Sequence, residues 1–151
     1  MESIINKKAR HNYFLQDSYE AGIVLEGWEL KPILKRRVNI DNSHIVIKKG
    51  ELFLINCLIT PEQSTNTHNE INTSRMRKLM LHKKDIMRLV GKVKEQRFTL
   101  IPSKIYKKGR FIKVEVCLAK GKQNVDKRQD EKDASIKKEL AQILKHKTKS
   151  S

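Results

Sequence analysis

The 151-residue chain has only two cysteines, Cys57 and Cys117, and neither has a second cysteine or a histidine at metal-ligand spacing. That argues against a zinc site, and in a chain of ordinary size it makes two small buried or half-buried thiols the expectation over a disulfide. The five histidines, His11, His44, His68, His82 and His146, are scattered singly. With no Ser/His/Asp or paired-carboxylate arrangement in view, the chain reads as a non-enzyme that needs no metal and no cofactor. No run approaches the roughly 20 apolar residues that span a bilayer. Met1–Asn6 lacks the charged-then-apolar pattern of a signal peptide, so a soluble, cytoplasmic protein is expected. Aromatic residues make up 5% of the chain, and the one clearly amphipathic stretch has no bulky aromatic face, which disfavours a membrane surface as partner.

What the chain does have is positive charge. Lys and Arg number 33 against 17 Asp and Glu, a formal net charge of +16. Up to Ala119 there are 23 basic and 12 acidic residues, and after it 10 and 5, so both parts are cationic. An excess of this size predicts a polyanionic partner, because neutralising phosphates with Lys and Arg releases condensed counterions. Nucleic acid is the first expectation. The length suits one domain, and the 38% hydrophobic content suits a modest core.

Residues 12–25 are rich in aromatic and β-branched types around an Asp-Ser interruption and predict strand. Gly27 to Lys35 predicts a short helix weakened by Pro32. His44–Lys48 and Leu52–Ile59 predict a hairpin about Lys49-Gly50-Glu51, and Phe98–Tyr106 and Phe111–Leu118 another about Lys107-Lys108-Gly109-Arg110. In the last strand Ile112, Val114, Val116 and Leu118 alternate with Lys113, Glu115 and Cys117, one set facing inward. Between the hairpins, Ile86, Leu89, Val90 and Val93 fall on one helix face, predicting a helix over Leu81–Val93 with Gly91 as its cap. Thr60 to Ser74 reads as a long loop.

Short strands with a helix between two hairpins predict a mainly β fold. A small antiparallel β-barrel of the oligonucleotide-binding type with inserted short helices fits it, and a different α+β sandwich fits the same order. The domain boundary is placed at Ala119, giving a barrel over 1–119 and a basic tail over 120–151. From Lys120 the sequence is too polar and charged to build a core and is expected to be flexible. Ile136, Leu140, Ile143 and Leu144 then mark a helix stripe with acids near its start and lysines near its end.

Four strings occur in order: Asn6-Lys-Lys-Ala-Arg-His-Asn-Tyr-Phe, Tyr19-Glu-Ala-Gly-Ile-Val-Leu-Glu-Gly-Trp-Glu-Leu-Lys, Arg75-Met-Arg-Lys-Leu-Met-Leu-His-Lys-Lys-Asp-Ile, and Leu118-Ala-Lys-Gly-Lys leading to Asp126-Lys-Arg. Together they closely resemble the small protein B family, the bacterial tmRNA-binding proteins, over about residues 6 to 145. The resemblance implies an oligonucleotide-binding-type barrel with a flexible basic tail. It implies binding to the tRNA-like domain of tmRNA and delivery of that RNA to ribosomes stalled on messages without a stop codon, which starts trans-translation. The partners implied are tmRNA and the ribosome, at its decoding site and message channel, with 16S and 23S rRNA; the protein is expected to act as a monomer.

Lys7, Lys8 and Arg10 lie just before predicted strand material, where they can hold phosphates or form an exposed arm. His11, Tyr13 and Phe14 add rings that can stack on unpaired bases. Arg75, Arg77 and Lys78 predict a second cationic cluster at the exit of the long loop. Glu20 is an acid in a basic protein, suited either to accepting hydrogen bonds from bases or to an internal ion pair. By resemblance Glu20 and Lys113 contact RNA, as do Lys120 and Lys122. Asp126, Lys127, Arg128 and Lys132 belong to the tail that stands in for codon–anticodon pairing by running along the vacant message channel; the alternative is a solubility tail.

The sequence also departs from the family. Pro32 stands where a small or polar residue is the rule, and a glycine is the rule near Arg36 or Arg37. Met80 replaces a leucine, and Val125 replaces an aromatic or histidine in some relatives. Two other classes remain open on the residues alone: a structural ribosomal or nucleoid-associated protein, and an RNA-modifying enzyme with a basic docking domain.

Overall fold

A computed structural model describes residues 2–62, 71–96 and 98–122. The elements are β1 (Ile4–Ile5), α1 (Lys7–Asn12), β2 (Tyr13–Ile23), α2 (Leu30–Leu34), β3 (Val38–Asn39), β4 (His44–Lys48), β5 (Glu51–Ile55), β6 (Leu58–Ile59), β7 (Arg77–Met80), α3 (Lys83–Gln96), β8 (Thr99–Lys108) and β9 (Phe111–Gly121). The chain is mainly β, an antiparallel sheet with a few short helices. Seven strands pair in the order β1-β8-β4-β5-β7-β2-β9, and β8 also pairs with β9, so the hydrogen-bond ladder returns on itself. β3 and β6 form a separate antiparallel pair.

The alternation expected in the last strand is present. Ile112, Val114, Val116 and Leu118 are buried in the main core with Ala21, Leu52, Leu54 and Leu79. β9 also buries Cys117 and Ala119 on its other face, because α1 lies over that end of the strand and packs Ala9 against Ile101 and Ala119. The sheet is therefore covered on both sides where α1 sits. The strand does not stop at Leu118: it runs through Gly121, pairing Lys120 with Phe14 and Gly121 with Tyr13. The compact unit spans Met1–Gly121.

Both hairpins turn more tightly than predicted. Lys48 pairs with Glu51, leaving Lys49 and Gly50 with φ of 51° and 74°, the positive values that a type I′ turn requires at both positions. Lys108 pairs with Phe111, leaving Gly109 with φ 62° at the first position, as a type II′ turn requires. The first hairpin's return strand ends at Ile55, where Asn56 takes φ 57° and turns the chain into β6.

Three expectations about helices need correction. Residues 7–12 do lead straight into β2, as expected, but they are not an exposed arm. They form α1, because the Asn6 side chain caps it by accepting the Ala9 N–H at 3.0 Å. Pro32 does not weaken α2: it is the third helical residue, whose missing N–H would have no partner inside the helix in any case. Gly91 does not end α3, which continues to Gln96; buried Leu89 and packed Val93 hold it on the core, and one glycine lowers helix propensity by only about 1 kcal/mol.

α2 ends in paired bonds that satisfy its last carbonyls. Arg37 N–H donates to the Pro32 carbonyl at 2.8 Å and Arg36 N–H to that of Ile33 at 2.9 Å, a Schellman motif with Arg36 at φ 61°. This is the conformation for which glycine is favoured. Here the arginine donates its guanidinium to the Glu2 carbonyl at 2.8 Å.

Only the ends of the long loop are described. Val125 and the helix stripe at Ile136, Leu140, Ile143 and Leu144 lie outside the described residues. No helix among the described residues is long and apolar enough to cross a membrane.

Candidate nucleic-acid interface

Asn6 positions the first cationic group. Its Nδ2 donates to the Pro102 carbonyl at 2.9 Å, and its backbone N–H donates to the Ser103 carbonyl at 2.9 Å. Those carbonyls flank the register shift of β8 between Pro102 and Lys104. A bulge re-aims local groups, and here it presents carbonyls that the wholly buried Asn6 clamps. With Ala9 underneath, Lys7, Lys8, Arg10 and His11 are left exposed. Lys8 Nζ donates to Asn42 Oδ1 at 2.6 Å, beside a cleft of about 320 Å³ between Asn12, Tyr13, Asn42 and His44. Arg10 and His11 sit in the last helical turn, where the helix dipole favours cations. Exposed Lys120 pairs with Phe14 at the end of β9, and strand alternation turns it to the face away from Ala119 and α1.

A second group lies on the outer face of β2, β9 and β8. Glu20 stands directly across from Glu115, a repulsive pairing by itself. Lysines of β8 offset it: Lys108 Nζ is 3.1 Å from Glu20 and Lys104 Nζ is 3.3 Å from Glu115. Tyr106 lies between them, with Lys104 Nζ 5.1 Å from its ring centroid. Burial, then the charges of Glu20 and Glu115, push the Tyr106 hydroxyl up to about 12. Lys113 lies opposite Tyr106 in β8, and its Nζ is 5.7 Å from the Phe111 ring centroid. Beside it Met80 lies over Gly22, where a Cβ would come within 3.1 Å of the Met80 methyl, and a groove of about 200 Å³ opens between Leu30, Met80, Phe111 and Lys113.

The second predicted cluster, Arg75, Arg77 and Lys78, is not gathered on the surface. Arg77 is fully buried: its Nε donates to Glu29 at 2.5 Å and its remaining nitrogens donate to the carbonyls of Cys57, Arg75 and Thr73. Arg75 is paired with Glu26 and Glu29, and exposed Lys78 is 3.3 Å from Glu51. Burial opposes ionisation of Glu29, but hydrogen bonds from Arg75, the Glu26 amide and Arg77 outweigh it and hold the carboxyl below its ordinary range. Arg75 and Arg77 stand two residues apart at the entry to β7, and both guanidinium groups meet Glu29.

Sequence reasoning placed Lys7, Lys8, Arg10 and His11 together, and the fold gathers them on α1. It missed Asn6 as the residue that fixes them; Asn is a favoured cap residue, but the Glu or Gln that would strengthen the signal three residues later is replaced here by Ala9. It also missed Lys104, Tyr106 and Lys108, whose alternation in β8 was legible. Lys122 is half-buried. Asp126, Lys127, Arg128 and Lys132 lie outside the described residues. Among the described residues no three His, Cys, Asp or Glu side chains are placed to hold a metal, and both cysteines are buried and free.

Comparison with known proteins gives this arrangement its relatives. The family model described as SmpB protein matches residues 3–146. This chain belongs to the SmpB family. Among SmpB relatives, the SsrA-binding protein of Methylobacillus flagellatus is 47% identical over 141 residues, covering 93% of this chain and 91% of its own. That of Geobacillus thermodenitrificans is 45% identical over 144 residues, covering 95% and 92%. A solved chain described under the words "tmRNA-SmpB: a journey to the center of the bacterial ribosome" matches with a TM-score of 0.67 at 38% identity, covering 84% of this chain and 92% of that one.

Proposed function

We propose that this protein binds the tRNA-like domain of tmRNA and carries it to stalled ribosomes for trans-translation, as a cytoplasmic monomer that catalyses no reaction itself. The strand ring closed by β8 and β9 serves as an oligonucleotide-binding-type barrel, a scaffold that offers loops and one face to nucleic acid. The observation that carries the reading is α1, whose exposed Lys7, Lys8, Arg10 and His11 are held to the β8 bulge by buried Asn6. Fixed cations give a phosphate backbone a defined docking position rather than diffuse attraction. Lys113 and Glu20 supply a second contact, in which Glu20 exchanges Lys108 for base donors, and Arg75 and Arg77 support it only by fixing β7.

The protein then divides the labour. The unit that runs through Gly121 binds RNA, and the basic residues after it form the ribosome-binding tail, with Asp126, Lys127, Arg128 and Lys132 occupying the message channel beside the decoding site. A cationic tail can do this only where message is absent, which links rescue to an empty channel.

Salt-dependent binding to a transcribed tRNA-like domain, against random-sequence RNA of equal length, tests the reading. Wild type should prefer the folded RNA, and Lys113→Ala should lower the salt slope by about 1. Deleting residues 123–151 should leave that binding intact while abolishing peptide tagging on stalled ribosomes. A protein with no preference for the folded RNA would overturn the assignment.

A further inference from the structure

α3 offers a surface that neither cationic group uses. With about 100° of turn per residue, the row opposite buried Leu89 and packed Val93 holds Lys84, Arg88, Gly91 and Glu95, with Lys83, Met87 and Lys94 alongside. Lys83, Lys84, Arg88 and Lys94 are all exposed. Among the described residues the one ion pair made by α3 is Lys92 with Asp17, so those four cations face solvent outside any ion pair, with Glu95 as the one exposed acid of the helix. Lys84 and Arg88 are about 5–6 Å apart along the helix, a step that matches neighbouring phosphates of one RNA strand. Met87, 66% exposed, is a flexible apolar side chain suited to lying against a ribose.

Gly91 marks the same face. Glycine is the poorest helix former after proline, yet a Cβ built at Gly91 meets nothing within 4 Å. No contact inside the fold therefore requires glycine there. What its bare backbone supplies is a low point in the ridge between Arg88 and Glu95, where a sugar-phosphate chain can come close to the helix.

We propose that the outer face of α3 is a further RNA contact, gripping the phosphate backbone of the same tRNA-like domain through Lys83, Lys84, Arg88 and Lys94 with Gly91 as the point of closest approach. The inference rests on the RNA-binding reading above. Continuity favours the same RNA as occupant: α3 begins just after Met80, which lines the groove with Arg110 and Lys113, so its first lysines extend that cationic surface. Charge selects RNA over an acidic-poor or apolar partner.

The test uses the full-length protein and a transcribed tRNA-like domain over a range of potassium chloride. Lys84→Ala with Arg88→Ala should reduce the salt slope by about 2. Gly91→Ala should raise Tm by about 3 °C and yet weaken binding by about fivefold, a combination that separates lost contact from lost fold. If wild type prefers the folded RNA but these variants bind it with unchanged slope and affinity, the proposal is overturned. Loss confined to 70S ribosome binding, or to a protein partner, overturns it equally. Failure of the underlying reading is distinct: wild type itself would then show no preference.

Discussion

Glu29 and Arg77, 48 positions apart in the chain, form an ion pair from which water is excluded, with both side chains 0% exposed. The pair ties the start of α2 to β7, and carbonyls of Cys57 and Thr73 complete the guanidinium's bonds. Removing one member of such a pair leaves a buried charge without a partner, at a cost of about 3–5 kcal/mol. Arg77→Met and Glu29→Gln should each lower stability by that order in urea unfolding. Glu29→Leu combined with Arg77→Met should recover part of the loss; a double variant as unstable as the sum would show that the charges themselves are not the issue.

Acid should find the same pair. The Glu29 carboxyl is held below its usual value of 4.5 in the folded state, so its contribution is present above that value and is lost as pH falls through the folded pKa. Unfolding free energy should be level near neutrality and decline below about pH 4.5. In Glu29→Gln the decline should be shallower. A variant with the wild-type acid profile would place the sensitivity on other carboxylates.

Asn6→Ala removes a helix cap and the side-chain donor to the Pro102 carbonyl. A stability loss of about 1–2 kcal/mol is expected. Affinity for the tRNA-like RNA should fall as well, although Asn6 is buried, because α1 keeps only its main-chain bond to the bulge. Restoring a cap with Asn6→Asp should recover the helix more than the Pro102 bond, since a carboxylate cannot donate to it. Unchanged RNA affinity in Asn6→Ala would show that α1 needs no fixing.

Neither thiol should be reactive in the folded protein. Burial pushes Cys57 up to about 11 and raises Cys117 as well, so thiolate is scarce at neutral pH. Ellman's reagent should label two thiols in denaturant and none in native buffer; rapid native labelling would mean that the core around Cys57 opens readily.

The main sheet was legible because its signals are local. Alternation in Ile112–Leu118 and glycine at each hairpin identify β9 and the turns without tertiary information. Lys49 shows where that stops: a positive φ on lysine is imposed by the twist of β4 and β5, and its side chain carries no mark of it. α1 was missed because six residues have too weak a helical period, and what makes the helix is a bond between Asn6 and a strand that follows about a hundred residues later. Arg77 was misplaced for the opposite reason. Its charge was plain in the sequence, but whether an arginine faces RNA or an internal carboxylate depends on Glu29, which arrives from a distant segment.

β2 underlies both cationic groups. Tyr13 and Leu15 pack beneath α1, while Glu20 and Gly22 belong to the outer face, about 20 Å further along one strand that is paired with β9 from Tyr13 to Gly22. The protein is thus a gauge as well as a grip: whatever rests on α1 and whatever rests on Lys113 are kept at a set separation and bearing, so a ligand of the wrong curvature can satisfy one end only.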